Sequence, residues 1–262
     1  MLIAGIILIV IGLVAGAVGY FQHRKLMELV SVETSTVAEL RELANAVNET
    51  EAAAGAFSQR CEVVGAAKGQ SGGGLDAPNS NQKCVWYRTQ VTEKYWDYEW
   101  VGEGNNRRQQ RVERTRTLSD SNSEFDFLID DGTGSVVVKG RNVDVDQPQK
   151  VYDQFTPSNQ GGLGGFLESF ASQLTGGGNS IGIQTEEWIV PLDARLFAQG
   201  EVSEVGGQLT LDKGDKGPFR VSMRSEQEMT KSADRWRKLN GGFGTVAIGI
   251  GIVLVIVGAI TS

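Results

Sequence analysis

Residues 84–98 read CVWYRTQVTEKYWDY. Aromatic and β-branched side chains dominate the run, and such residues fit a pleated, half-buried surface. The stretch predicts one long strand and sets the fold class as β. Trp86, Tyr87, Tyr95, Trp96, Tyr98 and Trp100 crowd this region. They read as core and cross-strand packing, with an aromatic ligand-binding wall as the alternative.

Working outward, a period-two pattern begins at Cys61. It predicts strands over 61–66, 84–98, 111–119, 125–129, 135–139, 186–190, 198–205, 208–212 and 219–222. Turn signals separate them: Asp131-Gly132, Gly206-Gly207 and the glycine-flanked run at 213–217. Short strands joined by tight turns point to a mainly β domain, a sandwich or partly closed barrel, with short helices. Ahead of it, Thr36 and Glu39 form a capping box that opens a helix carrying Val37, Leu40 and Leu43. Two loops are long. Residues 68–83 are rich in Gly, Ser and Asn and are expected to be mobile. Residues 159–182 are a second mobile insert, glycine-rich around FLESFASQL. There Leu163, Phe166, Leu167, Phe170 and Leu174 share one helical face. That face reads as a cover for a sheet edge, or as a lid, a membrane-touching element or a partner-docking helix.

Further out lie two uncharged apolar runs, residues 2–21 and 243–260. Each would cover roughly 27–30 Å as a helix, the thickness of a bilayer's hydrocarbon core. The expected plan is a transmembrane helix over 1–21, juxtamembrane helices over 22–58, the β domain over 59–224, a return helix over 225–242 and a second transmembrane helix over 243–261. The first run starts apolar, and its basic residues, Arg24 and Lys25, come after it. That order reads as a retained anchor rather than a cleaved signal. Lys231, Arg235, Arg237 and Lys238 precede the second run. Positive charge on the inner flanks places residues 22–242 in the cytoplasm and both termini outside. Gly5, Gly12, Gly16 and Gly19 in one run, and Gly244, Ala247, Gly251 and Gly258 in the other, form small-residue faces. Such faces would pack the spans together or support a homo-oligomer.

The net charge of −7 argues against nucleic acid as a partner. Two cysteines and one histidine leave no metal-ligand spacing, and no cofactor is expected. Gly69-Gln70-Ser71-Gly72-Gly73 matches the G-x-S-x-G pattern, but a loop follows where a nucleophile elbow needs a helix. The sole histidine, His23, borders the first apolar run, so a serine hydrolase is set aside and no catalytic residue is assigned. Arg107, Arg108, Arg111, Arg114 and Arg116 form the strongest charge cluster. Alternation places Arg114, Arg116 and Val112 on one face. The cluster reads as a solvated hairpin arm paired with nearby acids such as Glu99, Glu103 and Glu113, or as a site for lipid headgroups. With Leu163, Phe166, Leu167 and Phe170, these arginines are the candidate binding residues for lipid or a protein partner.

Six stretches carry a resemblance: CEVVGAAK from Cys61, CVWYRTQV from Cys84, FLIDDGTGSVVV from Phe127, TEEWIVPL from Thr185, LFAQGEV from Leu196 and PFRVS from Pro218. In this order the chain resembles the GIDE, or beside-a-membrane, domain. It is similar to the middle part of mitochondrial E3 ubiquitin ligases of the MULAN/MAPL type. The resemblance spans about residues 36–240, and the flanking apolar runs agree with it. It implies ubiquitin-transfer chemistry, which in those ligases belongs to a zinc-binding RING after the second span. Here no Cys or His follows Cys84. The expectation is therefore a membrane-surface interaction or scaffold module like the stand-alone archaeal and bacterial members. The alternative is a membrane component of a ligase system whose RING, and modifier-conjugating partner, come from other chains.

Overall fold

The computed structural model describes residues 32–49, 57–141, 143–158, 179–214 and 217–224, with isolated positions at 10, 14 and 17. Both expected spans, the juxtamembrane segment at 22–31, the return helix at 225–242 and most of the insert at 159–182 lie outside the described residues. Among the described residues, no helix is long and apolar enough to cross a membrane. The chain divides into two compact units. One comprises Met1–Ser35, Arg60–Glu62 and Arg224–Ser262, and the other Thr36–Gln59 and Val63–Met223. In the first, Thr34 bridges Glu62 in parallel and its hydroxyl donates to Glu62 Oε1 at 3.0 Å.

Among its described residues the second unit is mainly β, with one α-helix, α1 (Val37–Asn48), and the strands β1 (Ser58–Gly69, of which Arg60–Glu62 count with the first unit), β2 (Leu75–Asp76), β3 (Lys83–Val101), β4 (Arg108–Asn122), β5 (Phe127–Asp130), β6 (Ser135–Val138), β7 (Val145–Asp146), β8 (Gln149–Pro157), β9 (Ser180–Pro191), β10 (Arg195–Val205), β11 (Gln208–Asp212) and β12 (Arg220–Ser222). Seven strands form one sheet in the order β1-β5-β6-β11-β10-β12-β7, and β1 also pairs with β10. That extra pairing closes β1, β5, β6, β11 and β10 into a ring. The partly closed barrel is the form adopted, with β12 and β7 appended. Closure removes sheet edges from those five strands. The core follows: Phe127, Ile129, Val136, Val138, Leu196, Phe197, Val202 and Leu211 are all buried. β10 is buried at every position from Leu196 to Gly200, as expected of a strand covered on both faces.

The second sheet runs β2-β3-β9-β8, with β4 on the other side of β3. β3 has 19 residues, about 65 Å at strand rise. Cys84, Val85 and Trp86 at its start are buried, while Tyr98 and Trp100 near its end are exposed. Its β9 partner stops at Tyr95, and the β4 ladder continues to Val101. Among the described residues, the sheet from Trp96 onward is a two-stranded ribbon.

Several expectations need correction. Residues 68–83 are built rather than loose: Gln70–Gly72 form a short 3-10 turn and β2 pairs with Lys83 and Cys84. The period-two pattern predicts no strand where β8 forms. It is an edge strand exposed or half-buried along its length and ending in proline, so it gives no apolar alternation. In α1 the buried residues are Val37, Leu40 and Ala44, whereas Leu43 is 45% exposed. The inward face runs i, i+3, i+7 and bypasses Leu43. The capping box is present in both directions: Glu39 N–H donates to Thr36 Oγ1, and Thr36 N–H donates to Glu39 Oε2.

Candidate functional site

The arm formed by the ends of β3 and β4 is where exposed aromatics and arginines meet. Directly opposed residues in an antiparallel ladder share a face. Trp96 opposes Glu113, Tyr98 opposes Arg111 and Trp100 opposes Gln109. These lie on one face, with Lys94 and Thr115. Glu93 opposes Arg116, Tyr95 opposes Arg114, Asp97 opposes Val112 and Val101 opposes Arg108. These lie on the other. The expected grouping of Val112, Arg114 and Arg116 holds, but the five arginines do not make one patch. Arg108, Arg114 and Arg116 share a face, while Arg111 projects from the opposite one. Arg107 lies just before β4, in step with Arg111.

The two faces differ in chemistry. On one, Arg114 Nε reaches Asp97 Oδ2 at 3.0 Å and its guanidinium also pairs with Glu99. Arg116 binds the buried Glu93 and lies over the Tyr95 ring, 4.8 Å from its centroid. This face holds an ion-pair ladder whose carboxylates are already engaged. On the other, Arg111 stacks on Trp96 at 3.9 Å, and Lys94 sits 5.3 Å from the Phe155 ring of β8. Further down that face Trp188 lies between Arg88 at 6.0 Å and Lys150 at 5.4 Å. Beyond these stacks Tyr98 is 53% and Trp100 63% exposed.

The aromatic run thus divides. Trp86 is core, and Tyr87 packs on the cluster of Ala77, Cys84 and Ile189. Tyr95 and Trp96 carry cations, while Tyr98 and Trp100 face solvent. Reading all six as packing missed those last two. The available signal was their alternation with Trp96 on a strand longer than any other predicted partner. The connection back to β4 is tight: Gly102 has φ of +100°, and a Cβ there would meet the Asn106 carbonyl oxygen at 2.5 Å.

A second feature sits at the base of the sheet. Glu187 on β9 is fully buried and gathers the 79–80 turn. It accepts from Asn79 N–H and Nδ2 at 2.8 Å each, from Ser80 N–H at 3.0 Å and from Ser80 Oγ at 2.7 Å. Burial pushes its carboxyl up, but these four bonds outweigh burial and hold it below the ordinary glutamate value. The arrangement is structural, since every donor belongs to the protein.

The G-x-S-x-G segment lines a cleft of about 250 Å3 with Leu75, Cys84, Val85, Phe125 and Phe127. Its charged lining residue, Asp126, already accepts from Lys139 Nζ and Gly140 N–H at 2.9 Å each. The segment passes through a three-residue turn into β2, and no nucleophile elbow forms. Cys61 and Cys84 are free, buried thiols. Burial, then the Glu62 charge, pushes Cys61 up to about 12. Burial, then Glu187 and Asp76, pushes Cys84 up to about 11. Neither is a thiolate nucleophile at neutral pH. Among the described residues, no group of three His, Cys, Asp or Glu side chains could hold a metal ion. Leu163, Phe166, Leu167 and Phe170 lie outside the described residues. The chain rejoins the sheet after the insert beside Trp96, whose N–H donates to the Asn179 carbonyl at 2.9 Å.

The family described as GIDE: E3 Ubiquitin ligase matches residues 99–258, more than half of the chain. The chain belongs to that family. No curated protein and no solved structure matches it.

Proposed function

We infer that this member of the GIDE family works as an interaction and scaffold module at a membrane surface. Two apolar spans, expected from sequence, would tether a β domain that offers one surface to a partner. One observation carries the reading: the outer face of the β3–β4 arm presents Tyr98 and Trp100 more than half exposed. Rigid aromatic residues with a polar tip are the side chains that anchor interfaces. The ion-pair ladder on the opposite face supports the ribbon from behind. The positive inner flanks of the spans favour a cytoplasmic domain. The glycine faces of the spans leave room for a homo-oligomer.

The family description favours a second reading, a membrane component of an E3 ubiquitin ligase system. In that reading the β domain holds the assembly at the membrane and a RING-bearing chain supplies the transfer module.

The test places a photo-cross-linking residue at Tyr98 of the full chain in native membranes. Cross-links at position 98, absent from a control at exposed Asp212, support the interaction surface; their absence sinks it. Mixing the purified chain with ubiquitin, its activating and conjugating enzymes and a RING-bearing chain tests the second reading. Transfer that rises only when both chains are present supports it.

A further inference from the structure

We propose that the outer face of the arm seats on an anionic lipid surface, with Tyr98 and Trp100 in the headgroup zone and Lys94, Arg107 and Arg111 against the phosphates. The proposal rests on reading the arm as an interaction surface and names what it contacts. Three observations select lipid. First, the exposed side chains are Trp and Tyr, amphipathic rings that favour the boundary between hydrocarbon and water. Second, charge divides between the faces. The carboxylates of Glu93, Asp97 and Glu99 are tied to Arg114 and Arg116 on the inner face. Among the described residues, no carboxylate lies within ion-pair distance of Lys94, Arg107 or Arg111, and Glu113 is the one carboxylate in the outer row of the ribbon. Third, two of the cations are already laid on aromatic rings, so little side-chain freedom is lost when they meet phosphate.

A nucleic-acid strand is disfavoured, because residues 93–122 carry six basic and six acidic side chains and no net charge.

The test uses neighbours on opposite faces of β4. Gln109 opposes Trp100 on the outer face, and Gln110 opposes Glu99 on the inner face. Spin labels at Q109C and Q110C report each face without altering a contacting residue. Cys61 and Cys84 are buried, and their continued protection shows that each variant is folded. The full chain is reconstituted in nanodiscs of phosphatidylcholine alone or with phosphatidylglycerol. With anionic lipid, the label at 109 is expected to gain oxygen contact and lose contact with a water-soluble nickel complex, while the label at 110 stays open to nickel. R111Q should shift the ratio of shielded to open label about fivefold toward water, the worth of one basic side chain at an anionic surface. The double change Y98S/W100S should abolish shielding. Equal nickel access at 109 and 110 in anionic discs overturns the lipid assignment. If Tyr98 then still cross-links to a protein in native membranes, the interaction surface survives and its partner is a polypeptide. If it cross-links to nothing, both readings fail together. Shielding at 109 by an added single-stranded oligonucleotide, without lipid dependence, also overturns the proposal.

Discussion

Asp131 Oδ2 accepts the N–H of Val37 at 2.7 Å, across 94 residues of sequence. Its other oxygen accepts from the N–H and hydroxyl of Thr133 at 2.8 Å each and from Gly134 N–H at 3.1 Å. One carboxylate therefore shapes the β5–β6 turn and caps α1. Thr133 Oγ1 takes the next helix donor, Ala38 N–H, at 3.1 Å, Thr36 Oγ1 takes that of Glu39, and the N–H of Thr36 itself donates to Glu39 Oε2. All four orphan donors at this helix start are matched, two of them by a distant hairpin. D131A should destabilise the domain by about 1–2 kcal/mol, as for loss of a helix cap. Hydrogen exchange at the first turn of α1 should rise with it. Unchanged exchange there would show that Asp131 serves the turn alone.

The same carboxylate makes stability depend on pH. Burial raises Asp131, but the donors from Val37, Thr133 and Gly134 outweigh burial and leave it below the ordinary aspartate value. Glu187 is lowered in the same way by Asn79 and Ser80. A depressed folded value means the contribution is complete above the unfolded value, about 4, and is lost as pH falls through the folded one. Between pH 8 and 5 these two groups should leave stability flat. Below about pH 4 the 79–80 turn and the start of α1 should loosen first, read by amide exchange at Ser80 and Val37. E187A leaves four half-buried donors without their acceptor and should cost about 2 kcal/mol. If E187A melts like wild type, water has replaced the carboxylate and the turn is not held by it.

Such ties explain which parts of the fold were legible beforehand. β3, the Asp-Gly and Gly-Gly turns and the capping box are local patterns, and each is found where the sequence places it. Within the 68–83 segment, the order of the 79–80 turn comes from Glu187, more than a hundred residues away. Composition reports only its glycines. β8 escaped because an edge strand exposed to water lacks an inward row. The arginine cluster was visible as a run, but its division between faces depends on register with β3. The exposure of Tyr98 and Trp100 depends on where β9 stops.

Arg114 and Arg116 should respond differently to removal although both are ion-paired. Arg116 neutralises Glu93, which is 1% exposed. R116A strands a buried charge and should cost about 2–3 kcal/mol, toward the lower end for buried pairs because Arg116 itself is partly exposed. Arg114, Asp97 and Glu99 are each nearly half exposed. R114A should cost less than about 1 kcal/mol. Thermal unfolding of the two variants side by side decides it. Equal costs would mean that the ladder acts as one unit rather than through the burial of Glu93.

The thiols give a last expectation. Cys61 and Cys84 are fully buried, with values pushed up to about 12 and about 11, so at pH 7.5 each has almost no thiolate and no path to reagent. A soluble maleimide should modify neither in the native chain and both after denaturation. Their environments differ in one useful respect. Cys84 packs with Ala77 and Ile189 next to the turn that Glu187 holds. Loss of Glu187 should therefore expose Cys84 to reagent while Cys61 stays protected. Mass spectrometry of the E187A protein after brief labelling separates the two sites. Labelling of both together would mean that the turn opens only with global unfolding, and the barrel and the second sheet would then be one cooperative unit.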